Sequence, residues 1–355
     1  MEWDFLVIGG GVAGLTAGAA LSQLGRVTVW EAEDAFGYHA SGRSAAMFEE
    51  NYGNAPVRAL TRASRAAYEA AGTLSDRGLF LVGLEGQETA FHRDVGSLDL
   101  EPVSLDHARS RVPLLSDRVT RVAQNTTAQD VDTDAVLQRA AKTIRAAGGK
   151  VQTGRRVTGL SSMVGGWYAS ADQQITSART VVIAAGAWAD DVADFAGAAR
   201  LGLQPLRRSV ARVAAPAGQD VSTWPMLLGV GEAWYAKPDA GAMLVSSAEE
   251  APAPPGDAFA DDLELARGMD FYGQSINAPL TRPMATWGGL RSFTPDRSLA
   301  IGPSDLPGLW WCAGQGGYGF QTAPAAAQLL ADLISGRSPK LEADVVAALD
   351  PGRFL

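Results

Sequence analysis

Asp4-Phe5-Leu6-Val7-Ile8 runs straight into Gly9-Gly10-Gly11-Val12-Ala13-Gly14, and Val27-Thr28-Val29-Trp30-Glu31 follows. The first run has the make-up of a buried strand, the glycines of a tight turn, the stretch after them of a helix, and the last run of a second strand ending in an acid. Gly9 allows the turn, Gly11 lets backbone approach a pyrophosphate, and Gly14 lets the helix pack on the sheet. At Val12 and Ala13 the helix N-terminus offers N–H groups and positive partial charge to phosphates. Glu31, with Ala32 beside it, sits where a carboxylate accepts hydrogen bonds from an adenosine ribose. The unit predicts a dinucleotide site and leaves NAD and FAD both open.

Composition narrows the class. With 355 residues, 46% of them hydrophobic and 19% charged, the chain has the make-up of a soluble enzyme of two domains, or of one sheet domain with an inserted lobe. A formal net charge of −9 and the lack of a Lys/Arg block argue against nucleic acid as a partner. Cys312 is the only cysteine, so no intrachain disulfide is possible. No basic segment followed by an apolar core opens the chain, and its apolar runs fall well short of the roughly 18 residues of a spanning helix. A cytoplasmic protein with no integral membrane segment is expected. His39, His92 and His107 are the only histidines, and neither a metal cluster nor a Ser/His/Asp set stands out.

Further along, a Gly/Ser/Ala-rich loop and helix are expected over 37–52, a polar helix from about Val57 to Ala71, and a short strand at Leu79–Gly83. Asp132-Thr133-Asp134 starts a helix that Gly148-Gly149 stops. Trp167 to Ala171 and Ile175 suggest a hairpin, and Thr180-Val181-Val182-Ile183-Ala184-Ala185-Gly186 reads as a central parallel strand. From Leu203 to about Ala285 short strand candidates and turns replace this pattern. Leu309-Trp310-Trp311-Cys312-Ala313 returns to the sheet, followed by a second glycine turn at Gly314–Gly319 and a helix from Thr322. The predicted fold is α/β with mixed α+β character. A Rossmann-type nucleotide domain over 1–75, 130–203 and 286–355 is interrupted by an antiparallel β-rich substrate domain over 76–129 and 204–285.

Several stretches, in order, carry a family pattern: Gly37-Tyr38-His39-Ala40-Ser41-Gly42-Arg43-Ser44-Ala45-Ala46, Asp130-Val131-Asp132-Thr133-Asp134, Ala184-Ala185-Gly186-Ala187-Trp188, Arg207-Arg208-Ser209, Trp224-Pro225-Met226-Leu227, Tyr235-Ala236-Lys237-Pro238-Asp239-Ala240-Gly241, Trp287-Gly288-Gly289-Leu290-Arg291-Ser292-Phe293 and Gly314-Gln315-Gly316-Gly317-Tyr318-Gly319-Phe320-Gln321-Thr322. On these the chain resembles, over nearly its whole length, the D-amino-acid-oxidase-like superfamily of FAD enzymes, and most of all the bacterial D-arginine dehydrogenases. The resemblance makes sense of the second glycine turn. An NAD dehydrogenase has no need of one there, whereas a flavin ring gains negative charge on reduction, which backbone N–H groups and a helix dipole stabilise. It implies noncovalent FAD despite His39. Gly9, Gly11, Val12, Ala13, Gly14, Glu31 and Ala32 would hold adenosine and phosphates. Ser41, Arg43, Ser44, Ala45 and Ala46 would form the flavin loop, with Arg43 neutralising pyrophosphate or lining the ring. Val157, Ala185, Gly186 and Trp188 would add contacts from the sheet, and Arg291, Gly316, Gly317, Tyr318, Gly319, Gln321 and Thr322 would surround the ring.

The implied reaction is oxidation of an α-amino acid to an imino acid by hydride transfer from Cα to flavin N5, then hydrolysis to a 2-oxo acid. The protein supplies orientation and electrostatics, with no essential side-chain base. Arg291 is suited to grip a carboxylate through its guanidinium fork. Arg208 and Tyr235 match the family's other carboxylate contacts; chemistry alone leaves Arg207 and Arg208 open, since alternation puts one on each face of a strand. Tyr52 matches a tyrosine that closes over the substrate, and Gly317, with Tyr318, would receive the amine.

The pattern departs from the family at the substrate side chain. Leu79 stands where the arginine enzymes have a glutamate, Met47 and Phe48 replace more polar residues, and Glu49 replaces a small hydroxyl residue. A leucine cannot satisfy a buried guanidinium. A D-amino acid with an apolar or neutral side chain is therefore expected, unless Glu49 or Glu50 restores a cation site, and D-handedness rests on the resemblance. An oxidase of glycine- or sarcosine-like amino acids, or the flavin subunit of an amine dehydrogenase complex, are the alternatives. The electron acceptor, quinone-like or oxygen, stays open. Some relatives place a lysine over the flavin to promote reaction with oxygen, and only Lys237 of the four lysines lies near the expected site.

Overall fold

Trp3–Ile8 and Val27–Trp30 are parallel neighbours at the centre of the first sheet, with Phe5 opposite Val27 and Ile8 opposite Trp30. The computed structural model describes residues 1–172 and 174–354. Lys150–Gln152 adds a parallel strand beyond Val27–Trp30, and Gln174–Ile183 runs parallel to Trp3–Ile8 on the other side. That long strand changes partner along its length. Its first half is antiparallel to Gly166–Ala171, and Val181–Ile183 is parallel to Leu309–Ala313. Leu6, Val7, Val181, Val182 and Ile183 are wholly buried, because both faces of a parallel sheet are covered and consecutive residues must be apolar. The helices Val12–Leu21 and Gly319–Ser335 pack together within one core with Val7, Val29 and Val182.

The second sheet builds the β-rich lobe. Gln204–Ala214 pairs antiparallel with Ala285–Phe293 from Gln204↔Phe293 to Arg212↔Ala285. This pairing moves the expected boundary at 286: the strand carrying Arg291 belongs to the substrate sheet as far as Phe293. The sheet is also not wholly antiparallel, since Met226–Gly229 lies parallel to Leu79–Val82 and so joins the lobe's two chain segments.

Three local readings need correction. The stretch after Gly37 forms turns and the strand Met47–Phe48, not a helix, and pairs within a small sheet with Gln129–Val131, itself paired to Leu74–Asp76. The last long helix starts at Gly319, with Tyr318 as its N-cap residue, so Thr322 is already inside it. Within the β-rich lobe Asp262–Ser275 is a helix, capped by Asp261 Oδ1 accepting from Leu263 N and Glu264 N at 3.0 and 3.2 Å. Its interior glycines masked it in the sequence. Gly268 has a structural reason, since a β-carbon there would stand 2.7 Å from Ser247 N. Among the described residues no helix is long and apolar enough to cross a membrane.

Candidate active site

Both glycine turns open onto one cavity of about 510 Å³, within the usual range of about 300–1,000 Å³ for ligand sites. At the first turn Gly9 has φ +114°, and a β-carbon at Gly9 or Gly14 would overlap the backbone oxygen of Ala184 or of Gly9. Glu31, only 8% exposed, accepts from Gly10 N at 2.6 Å and from Glu33 N at 2.9 Å while lining the cavity. Ser41 Oγ accepts from Val12 N at 2.9 Å, which seats the 41–46 stretch on the helix N-terminus. At the far end Gly316 N donates to Ser292 O at 2.9 Å, tying the second turn to the substrate sheet.

Most of the residues named from the sequence meet at this cavity. Gly9, Gly11, Val12, Ala13, Glu31 and Ala32 line one end; Ser41, Arg43, Ser44, Ala45 and Ala46 line its middle. Val157, Ala185, Gly186 and Trp188 are on the wall, and Gly316, Gly317, Gly319 and Gln321 line the other end with Tyr52, Arg208, Tyr235 and Arg291. Gly14, Tyr318 and Thr322 lie off the lining. Gly14 packs helix on turn. Tyr318 sets its ring edgewise against Tyr52 and Phe293, with centroids 5.4 and 6.0 Å apart, and Thr322 Oγ1 donates to Tyr318 O at 2.8 Å.

Arg43 is placed differently from the pyrophosphate role considered for it. Its guanidinium donates to Ala258 O at 3.0 Å, Gly288 O at 2.9 Å and Asp257 Oδ1 at 2.5 Å, so its charge is matched by the β-rich lobe. Lys237 is likewise engaged: Nζ stands 2.8 Å from Asp130 Oδ1 and donates to Ala46 O at 2.9 Å, behind the flavin loop. Cys312 is buried off the lining, and desolvation pushes its thiol up to about 12.

Two arginines dominate the far end. Arg208 and Arg291 have side chains only 14% and 13% exposed. Burial first, then the neighbouring Arg291 charge, pull the Arg208 pKa below its ordinary value. Tyr52 donates to Glu232 Oε2 at 3.0 Å, and burial followed by the Glu232 charge raises its hydroxyl pKa, so it is a neutral donor. Met47 and Leu79 share the remaining wall with Leu98, Met226 and Leu228, an apolar chamber with Glu49 on it. Glu49 is 6% exposed and accepts from Asn125 Nδ2 at 2.6 Å and Asn51 N at 3.1 Å; burial raises its pKa. Glu50 turns away to Arg65.

Sequence reasoning missed Glu232, which Tyr52 reveals only through a fold contact, and Arg155, whose Nε is buried without a partner and which lines the cavity beside Glu31. Neither lies in a motif.

The shape of the site fits a dinucleotide bearing a ring that takes up charge. A continuous groove joins two helix N-termini, neither capped by the side chain of its own N-cap residue. Gly9–Ala13 and Glu31 would hold the adenosine diphosphate part, and Ala45–Ala46 with Gly316–Gly319 the ring. This is the layout of a two-domain flavin-dependent oxidoreductase. A family model described as DAO, FAD dependent oxidoreductase, matches residues 4–333, and the chain belongs to that family. It is an FAD-dependent oxidoreductase.

Among solved structures, an L-proline dehydrogenase from P. horikoshii superposes with a TM-score of 0.84 at 22% identity, covering 99% of this chain and 98% of that one. A glycine oxidase from Geobacillus kaustophilus also gives 0.84, at 20% identity and 99% coverage of both chains. These likenesses establish the fold. A D-amino acid dehydrogenase 2 from Ralstonia nicotianae is 46% identical over 59 residues, 17% of this chain and 14% of that protein. One from Cereibacter sphaeroides is 43% identical over 56 residues, 16% of this chain and 13% of its own length. The matched stretch thus spans about a seventh of those relatives.

Proposed function

We propose that the protein is a dehydrogenase of D-amino acids, converting them to imino acids that hydrolyse to 2-oxo acids. The observation that carries this reading is the pair of buried guanidinium groups, Arg208 and Arg291, beside the second glycine turn at the ring end of the cavity. Two such groups off bulk water suit a ligand with a carboxylate. Bound FAD supplies the two-electron acceptor for the hydride that leaves the substrate Cα. Arg208 and Arg291, with Tyr235, would hold the carboxylate and so orient Cα for the transfer. Tyr52, kept protonated, closes the site from the side of Glu232, and the Gly317 backbone receives the amine.

Leu79, Leu98, Met226 and Leu228 favour a substrate whose side chain is apolar along this wall. The names of the short-match relatives support the D-series. The engagement of Lys237 with Asp130 and Ala46 supports an acceptor other than oxygen. His39, 3.1 Å from Glu33, and the buried Cys312 favour noncovalent cofactor.

The test is anaerobic addition of single D- and L-amino acids to the purified yellow protein. Bleaching of the flavin by D-leucine, D-methionine or D-phenylalanine, ahead of their L-forms and of glycine, is expected. Faster bleaching by glycine, sarcosine or L-amino acids would overturn the reading. Reoxidation by a quinone analogue but only slowly by air would support the dehydrogenase assignment.

A further inference from the structure

The carboxylate that Arg291 meets within the protein is Glu250. Its Oε1 accepts from Arg291 Nη2 at 2.7 Å and from Arg297 Nη2 at 2.7 Å, and its Oε2 accepts from Arg297 Nη1 at 3.1 Å. Arg208 Nη2 stands 4.0 Å from the same Oε1. Arg208 and Arg291 line the cavity and Glu250 does not, so it approaches them from outside the substrate space. Burial pushes the Glu250 pKa up, but Arg297 and Arg291 outweigh it and hold the carboxyl below its ordinary value, so it stays an anion.

Arg208 is held from the same corner of chain. Ala248 O accepts from its Nη2 at 2.6 Å, and Glu249 O lies 3.4 Å from its Nε. Ala248 has φ +55°, a left-handed conformation that residues with a β-carbon rarely adopt. The surroundings hold that conformation. Glu249 Oε1 accepts from Ser209 N at 2.6 Å, Ala248 N donates to Ser246 Oγ at 3.0 Å, and Gly268 packs against Ser247. Three consecutive residues thus present two carbonyls to one arginine and a carboxylate to the other.

We propose that Glu250 is a positioning residue for the substrate-carboxylate clamp: it holds Arg291 beside Arg208, with Arg297 as its outer counter-ion. Two buried like charges side by side repel and need a shared anion when no substrate is present. Arg291 Nε is buried without a hydrogen-bond partner among the described residues, so Glu250 supplies the ionic contact that holds the guanidinium, whose Cζ lies 5.3 Å from the centre of the Phe293 ring. Removing it frees Arg291 to turn toward water, and the substrate carboxylate must then reassemble the pair on binding. The proposal rests on the reading of Arg208 and Arg291 as a carboxylate clamp.

The test uses FAD-loaded protein carrying Glu250→Ala, Glu250→Gln or Arg291→Met, with the amino acid that best bleaches the flavin and calorimetric titration of its 2-oxo acid. Glu250→Ala should raise KM and the 2-oxo acid Kd at least tenfold with kcat within threefold. Glu250→Gln, which keeps an acceptor oxygen for Nη2 but not the charge, should recover only part of the loss, leaving both about three- to tenfold above the unaltered protein. Arg291→Met should raise both at least a hundredfold. KM and Kd within twofold for Glu250→Ala, alongside an impaired Arg291→Met, would overturn the positioning role and leave the clamp standing. An unimpaired Arg291→Met would overturn the clamp itself, and the proposal with it. Should Glu250→Ala not fold, Glu250→Asp, whose shorter side chain draws the carboxylate back from Nη2, carries the same expectation and the same refutation.

Discussion

The two glycine turns at the ends of the cavity look alike in sequence, yet they are held by different things. At the first, Gly9 and Gly14 face backbone: β-carbons there would overlap Ala184 O and Gly9 O. At the second, glycine faces side chains. A β-carbon at Gly314 would stand 2.8 Å from Thr294 Cγ2, and one at Gly316 would overlap the Phe293 ring. Backbone at the first turn cannot withdraw without unpairing Trp3–Ile8 from Gln174–Ile183, whereas a ring or methyl group can shift. The end at the first turn is therefore fixed by the sheet, and the end at the second turn is a joint with the β-rich lobe.

The sharpest way to break this contrast is to add one carbon at each end. Gly14→Ala should leave protein with less than a tenth of the normal flavin absorbance per chain. Gly316→Ala, strained by about 1–2 kcal/mol at φ +51°, should keep most of its flavin with a raised KM. Equal loss of flavin from both would refute the distinction. Next in size, Arg208→Met should lower kcat/KM at least a hundredfold, about 3 kcal/mol, while flavin content stays unchanged. A smaller effect, about tenfold on kcat/KM, is expected for Tyr52→Phe, read by steady-state kinetics, since only the contact with Glu232 is lost.

The least dramatic test concerns Glu49. Burial raises its folded-state pKa above the ordinary 4.5, so its proton is held more tightly in the folded chain. Relative to a Glu49→Gln variant, the native protein should lose stability as pH rises from about 4.5 through that raised value, and regain it on acidification. Melting curves of the two proteins at pH 4 and pH 8 check the sign: the Tm of the variant minus that of the native chain should increase with pH.

The sequence made the first end legible because its constraints are local. A strand, three glycines and an acid must fall at fixed spacing for the turn to form, and Glu31 lies where that spacing puts it. The far end was legible in its residues but not in its arrangement. Arg208 and Arg291 could be named, yet only the pairing of Leu206 with Arg291 and Arg208 with Gly289 brings them onto adjacent strands, and that register moved the boundary expected at 286. Glu232 and Glu250 carried no local signal, since each acts on a side chain distant in sequence. Asp262–Ser275 was hidden because Gly268 and Gly273 weaken its helical pattern while close packing on Ser246–Ser247 makes one of them necessary.

Arg43 gives the two ends a shared latch. It belongs to the stretch that lines the middle of the cavity, yet its guanidinium is fastened to Asp257, Ala258 and Gly288, and Trp287 Nε1 donates to its carbonyl at 3.1 Å. The 41–46 stretch cannot move away from the cavity without breaking these contacts with the β-rich lobe. Cavity wall and β-rich lobe are thereby fastened at one residue, and a displacement of either is carried to the other.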